Sequence, residues 1–328
     1  MWGRAGRPSL AGRLTAAGWT VAFVERKLFG GTCVNTGCTP TKALVASAHA
    51  AHLNRSAEDF GVAPSIAVTV DMRRVKRRMQ DIVAKSRDSV ERSLRGMDRC
   101  TVYQGTAHFV SATELQVGPD ILKAPHIFLN VGARPTIPKL PGVDTVPYLT
   151  SSTILALGTL PPSLVVVGVS YVGLEFAQMY RRFGSDVTVV ERGTRLVAHE
   201  DEDVSRAVRE ILEAEGIRVR LNAECISLIH GGDGLVVGVS CIDDEQEVEA
   251  SHVLLAMGHT PNTDDLRLEA AGISVDEDGY IPVYDRLCTA VPGIWALGDC
   301  NGRGGFTHLP TTTSKSSRPT CSITIRVK

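Results

Sequence analysis

The sequence carries almost no net charge: 35 lysines and arginines stand against 36 aspartates and glutamates in 328 residues. No global field draws such a chain to nucleic acid or to an anionic bilayer, so affinity for a charged ligand has to be local. It also lacks any apolar run of the roughly 18 to 20 residues needed to span a membrane. The N-terminus has neither the apolar core nor the small-residue cleavage site of a signal peptide. These absences lead to the expectation of a soluble, cytoplasmic protein with neither nucleic acid nor membrane among its partners. Metal-site spacing is missing too. Of the eight cysteines, Cys33 and Cys38 alone stand close together, and no second cysteine pair or nearby histidine pair completes a set of four zinc ligands. No resident metal is expected, and in a reducing compartment a close pair of this kind points to redox chemistry.

What is present describes a globular α/β protein. Hydrophobic residues make up 43% and charged residues 22%, near globular averages. A chain of this length divides into two or three domains. Two stretches share a turn, a helix and a β-branched strand ending in glutamate, which is the pattern of a dinucleotide-binding βαβ unit. The first runs from Gly3 and Gly6 through Ala11–Gly18 to Val21-Ala-Phe-Val-Glu25. The second runs from Leu164-Val-Val-Val-Gly168 through Leu174–Tyr180 to Asp186-Val-Thr-Val-Val-Glu191, with Gly184 stopping its helix. Between them, Asp71 to Gly96 reads as a solvent-faced helix with an apolar stripe of Met72, Val75, Met79, Ile82 and Val83. Its five basic residues between 73 and 78 read as the wet face of that helix rather than a phosphate site. The Pro-rich stretch Ala133–Gly142 reads as an irregular crossing between domains.

The segment Gly30-Gly-Thr-Cys-Val-Asn-Thr-Gly-Cys-Thr-Pro-Thr-Lys42 places two thiols five positions apart, close enough to close a small disulfide loop. A helix starting near Cys38, with Pro40 in its first turn, favours a thiolate there. Two unlinked cysteines are the alternative. The segment resembles, at every fixed position, the active-site signature of the class I pyridine nucleotide-disulfide oxidoreductases, the family of mercuric reductase and dihydrolipoamide dehydrogenase. The resemblance implies that Cys33 exchanges with the substrate, that Cys38 lies against the isoalloxazine of FAD, and that Lys42 sits near the flavin with Glu175 as its charge partner. An exposed helix carboxylate is the other reading of Glu175.

The remaining expected contacts follow the same resemblance. Gly3, Gly6, Glu25, Gly31, Thr32, Lys42, Gly132 and Asp299 are implied to bind FAD. Glu25 takes the ribose in that reading, or else is a plain strand-end charge; Asp299, in Ile294-Trp-Ala-Leu-Gly-Asp299, takes the ribityl hydroxyls. NAD(P)H is implied to use Gly168, Ser170, Tyr171, Gly173, Glu175, Glu191 and Gly258. Ser170 replaces the middle glycine of G-x-G-x-x-G, where the backbone approaches the pyrophosphate. Tyr171 corresponds to an aromatic lid that covers the flavin until nicotinamide enters, or else packs at a domain junction. Glu191 favours NADH by bonding a free ribose, whereas Arg192 and Arg195 offer partners for a 2′-phosphate. His259 reads as structural.

The fold expected is therefore two Rossmann-like three-layer nucleotide-binding domains: FAD-binding at 1–148, NAD(P)-binding at 149–265, and a returning FAD-binding part at 266–308. Two departures from the family pattern accompany it. The strand before the first glycine turn is absent, and after His308 the polar stretch 309–328 reads as a disordered tail in place of the C-terminal dimerisation domain that makes the family's homodimer. The reaction implied is electron transfer from NAD(P)H through FAD and the Cys33/Cys38 pair to a small disulfide or a metal-thiolate such as mercuric ion. The alternative is a catalytically incomplete fragment that binds nucleotide at most.

Overall fold

The computed structural model describes residues 6–62, 68–223, 226–231, 234–239 and 247–304. Gly3 and the tail 309–328 lie outside these residues. The described chain opens with α1 (Gly6–Ala16), β1 (Val21–Glu25), α2 (Gly31–Asn35), α3 (Cys38–Arg55) and α4 (Met72–Arg95). Six short strands follow: β2 (Cys100–Gln104), β3 (Ala107–Ser111), β4 (Glu114–Val117), β5 (Asp120–Lys123), β6 (Ile127–Leu129) and β7 (Ala133–Pro135). Next come β8 (Leu149–Thr150), β9 (Ser163–Val167), α5 (Tyr171–Phe183), β10 (Asp186–Val190), α6 (Glu202–Ala214) and β11 (Arg218–Arg220). The last strands among the described residues are β12 (Ile226–Gly231), β13 (Gly234–Val239), β14 (Glu247–Ala250), β15 (His252–Leu255), β16 (His259–Pro261) and β17 (Ile294–Ala296).

Two compact units result, one from the described parts of 1–39, 83–134 and 259–328, the other from those of 40–82 and 135–258. In the second unit a parallel sheet runs in the order β11-β10-β9-β15-β8. Leu164 to Val167 are each at most 1% exposed, which is why β9 reads as an unbroken apolar run instead of alternating: parallel strands are covered on both faces. On one side the antiparallel sheet β12-β13-β14 brings Leu228, Leu235 and Val237 against Val165, Val167, Val253 and Leu255. Helix α5 stops at Gly184 (φ 122°), whose N–H donates to the carbonyls of Tyr180 and Arg181. In α4, Met72, Met79 and Val83 are buried, as the stripe requires. Arg73, Arg74 and Arg77 face solvent, whereas Lys76 donates to the Ala156 carbonyl and Arg78 to that of Ala43.

The first unit holds two parallel pairs, β1 with β2 and β6 with β17, and an antiparallel meander β3-β4-β5. Phe109, Leu129, Ile281, Ile294 and Ala296 form its main core, and Ala11, Val21, Phe29 and Leu94 a smaller one. The Phe128 and Trp295 rings stack at 4.9 Å, and His126 links them to Trp19 just before β1. The order β2-β1 repeats β11-β10 of the other unit; among the described residues no strand takes the place that β9 occupies there. Likewise, no helix among the described residues is long and apolar enough to cross a membrane.

Candidate active site

The cysteine segment folds as two helices joined by a tight return. Gly30 and Gly31 both adopt left-handed backbone (φ 96° and 61°) to start α2, and a Cβ on Gly30 would fall 2.6 Å from Val34. Asn35 ties the turn together, its Nδ2 donating to the carbonyls of Gly31 at 2.9 Å and Phe29 at 3.0 Å. Gly37 then passes so close over α2 that a Cβ there would lie 2.9 Å from the Thr32 oxygen and 3.3 Å from the Cys33 Cα. This approach returns the chain to Cys38, the first residue of α3, with Pro40 in the first turn where its missing N–H costs nothing. Cys33 is buried in α2 and Cys38 is exposed.

One helical turn beyond Cys38, and so on the same face of α3, stands Lys42, whose ammonium pairs with the Glu175 carboxylate on α5. Four residues before Glu175 on the same face of α5 is Tyr171, half exposed, with its hydroxyl donating to Glu200. That bond raises the Tyr171 pKa above the ordinary phenol range, with desolvation and the carboxylate's charge adding to it. Lys42 and Glu175 are therefore paired, with Cys38 one turn before Lys42 along α3 and Tyr171 one turn before Glu175 along α5.

The turn between β9 and α5 has the close approaches that a dinucleotide turn requires. A Cβ on Gly168 (φ 102°) would lie 2.5 Å from the Ala256 oxygen, and one on Gly173 would lie 2.1 Å from the Gly168 oxygen. The first glycine thus permits the tight turn, and the last lets helix pack on strand. Ser170 caps the helix in extended backbone (φ −72°, ψ 169°), exposed, its side chain making no capping bond. Glu191, at the end of β10, accepts from the N–H groups of Gly193 at 2.9 Å and Val169 at 3.2 Å. Arg195 donates to the Ala198 carbonyl at 2.8 Å, while Arg192 is exposed. Gly258 (φ 100°) borders open space.

Of the residues expected at FAD, Gly6 opens α1 and Glu25 is 6% exposed at the end of β1, accepting from the Lys27 N–H at 3.2 Å. Its burial distinguishes it from a solvated strand-end charge. Gly31 and Gly132 (φ 61° and 72°) both border open space where a Cβ would stand, and Thr32 is exposed in α2. Asp299 lies in the short turn that follows β17. The Oδ1 of Asn35, which sequence reasoning did not single out, is buried with no hydrogen-bond partner. An orphaned acceptor next to a glycine with room above it fits a ligand rich in N–H and O–H donors, and FAD is such a ligand.

Fold and site together define a two-unit nucleotide-binding protein with a cysteine pair at a helix start. The model of the family described as pyridine nucleotide-disulphide oxidoreductase matches residues 3–318, and the chain belongs to that family. It is 35% identical over 297 residues to a mercuric reductase of Streptomyces lividans, covering 89% of this chain and 62% of that one. To the probable pyridine nucleotide-disulfide oxidoreductase RclA of Escherichia coli K12 it is 34% identical over 315 residues, 94% of this chain and 66% of the other. The structure of E. coli RclA, a HOCl-induced flavoprotein disulfide reductase, superposes with a TM-score of 0.84 at 32% identity over 96% of this chain and 69% of that one. LpdA of Mycobacterium tuberculosis gives 0.83 at 25% identity, covering 94% of this chain and 68% of that one. The chain thus spans 62% and 66% of the length of the curated mercuric reductase and RclA sequences, less than two thirds of each.

Proposed function

We propose that the chain carries the electron-transfer machinery of a flavin-dependent disulfide oxidoreductase. The observation that bears most of this reading is the run Cys38, Lys42, Glu175, Tyr171, which joins the cysteine helix to the nucleotide helix through one ion pair. FAD, when bound, supplies a two-electron carrier between a nicotinamide and a disulfide. Glu25, Gly31, Thr32, Asn35, Gly132 and Asp299 would hold it, with Gly6 at the phosphate end. Gly168, Ser170, Gly173, Glu191 and Gly258 would hold the nicotinamide nucleotide.

The protein's own residues then do the following. Glu191 presents a carboxylate already oriented by two backbone N–H groups, which accepts from ribose hydroxyls and repels a 2′-phosphate; with Arg195 engaged on the Ala198 carbonyl, NADH is favoured over NADPH. Negative charge on the Cys38 sulfur sits at the N-terminal end of an 18-residue helix, where it is stabilised. Lys42, oriented by Glu175, holds a positive charge one turn away. The reduced pair acts on its acceptor by exchange: one thiolate attacks the acceptor disulfide, a mixed disulfide forms, the second thiol resolves it, and the acceptor leaves as two thiols while Cys33 and Cys38 become linked. A small disulfide is the acceptor class this chemistry serves most directly, and a thiolate-bound metal ion such as mercuric ion is the other. A cytoplasmic location keeps the pair reducible.

The test is anaerobic. The purified chain is loaded with FAD, passed over a desalting column and mixed with NADH or NADPH while flavin absorbance is followed. Retained flavin that NADH bleaches faster than NADPH is the expected result. A chain that binds NADH but retains no flavin reduces the reading to nucleotide binding.

A further inference from the structure

The stretch after β10 is fastened to the nucleotide turn at three points. The Val169 N–H donates to Glu191, the Val169 carbonyl accepts from the Val197 N–H at 3.3 Å, and the Tyr171 hydroxyl donates to Glu200. Val197 lies in the left-handed region (φ 41°), which β-branched residues rarely adopt, and it is only 7% exposed. Its carbonyl accepts from the Glu200 N–H at 2.8 Å, closing the turn that carries Glu200. On the other side the Ser205 hydroxyl holds the Leu196 carbonyl at 2.8 Å. The unfavourable backbone therefore sits where the chain bends between its anchor on Val169 and its contact with Tyr171. Strain of this kind persists only where the surroundings over-determine it. Tyr171 is 48% exposed, so packing alone does not fix it.

We propose that Glu200 is a positioning residue that latches Tyr171, and that nicotinamide enters only when this hydrogen bond opens. The proposal rests on the reading of Tyr171 as the aromatic residue at the nicotinamide mouth. If only the unlatched fraction admits nicotinamide, the apparent affinity for NADH is lowered by that fraction. A charge-assisted bond at a half-exposed site supports a latch of about three- to tenfold.

The discriminating ligand is ADP-ribose, which shares the nucleotide and ribose contacts but has no nicotinamide ring to insert. Dissociation constants for NADH and ADP-ribose are measured by calorimetry on the full chain, its Glu200→Ala, Glu200→Gln and Tyr171→Phe variants, and the double variant Glu200→Ala/Tyr171→Phe. Glu200→Ala and Tyr171→Phe should each bind NADH about three- to tenfold more tightly, with ADP-ribose unchanged. The double variant should gain nothing further, and Glu200→Gln, which keeps a neutral acceptor, should fall between. NADH affinity that is unchanged or weaker, or an equal shift for both ligands, overturns the latch while nucleotide binding stands. A wild-type chain that binds neither ligand overturns the nucleotide reading and the latch with it.

Discussion

Replacing Gly173 with alanine sets two effects of opposite sign against each other. Gly173 lies inside α5 and does not need left-handed backbone, so alanine would gain helix propensity of up to about 1 kcal/mol. Against this, its Cβ would lie 2.1 Å from the Gly168 oxygen, more than 1 Å inside the 3.4 Å at which ordinary contact begins. That oxygen cannot yield cheaply. It belongs to backbone, and Gly168 is itself confined, since its own Cβ position lies 2.5 Å from the Ala256 oxygen. The helix has to lift from β9 by an ångström or so, and overpacking of this kind costs about 1 to 3 kcal/mol, occasionally more. The clash therefore wins. Net of the helix propensity gained, a loss of up to about 2 kcal/mol lowers Tm by up to roughly 8 °C in a unit of this size. Because the first turn of α5 moves with it, NADH affinity should fall at least about tenfold, as small displacements of a binding element commonly do. Differential scanning fluorimetry and an NADH titration on Gly173→Ala check both. A Tm within a degree of wild type together with unchanged NADH affinity would refute the packing argument.

Other substitutions separate stability from function. Glu175→Gln breaks an ion pair whose side chains are 53% and 29% exposed, so unfolding free energy should change by less than about 1 kcal/mol. Reduction of bound flavin by NADH should nonetheless slow by about tenfold or more, because Lys42 loses the charge that orients it; equal effects on both would make the pair structural. For Glu215, burial raises the carboxyl pKa, but bonds and charge from Arg182, with His52 and Gln178 assisting, outweigh it and hold the group below its usual range. Stability from this pair is present above the unfolded carboxylate pKa and lost as pH falls through the lowered folded value. Arg182→Leu should therefore cost about 2 to 4 kcal/mol in urea unfolding at neutral pH and visibly less in acid; a pH-independent loss would assign it to packing. Tyrosinate formation at Tyr171, isolated as the difference spectrum against Tyr171→Phe, should begin at lower pH in Glu200→Ala, since the bond to Glu200 is the main cause of its upward shift.

The second nucleotide unit was legible because its long elements repeat their periodicity. Leu164 to Gly168, the helix through Tyr180 and the strand Asp186 to Val190 all fall where the apolar pattern puts them, as does the 24-residue α4. Short antiparallel strands such as β3, β4 and β5 carry four or five residues each, with too few apolar positions to establish a period. The site divides in the same way. Spacing exposes Cys33, Cys38, Gly168 and Gly173, since each belongs to a local turn. It is silent on Glu200, which reaches Tyr171 across 29 positions through a bend at Val197 that no residue preference marks. Asn35 was hidden for another reason: its amide makes ordinary turn bonds, and only three-dimensional burial reveals the acceptor left over. The burial of Cys33 likewise depends on how α2 packs.

The central claim is that Cys33 and Cys38 form a reversible redox pair, and peptide mapping after mild oxidation tests it without requiring bound cofactor. A single tryptic peptide, Leu28 to Lys42, carries both thiols. After diamide treatment this peptide should appear lighter by two hydrogens, resist alkylation, and return to the dithiol form with dithiothreitol; Gly37→Ala, which crowds the return over α2, should make the linkage harder to form. If the peptide stays reduced and doubly alkylated, or if either sulfur pairs instead with Cys100, Cys288 or Cys300, the redox-pair assignment is contradicted.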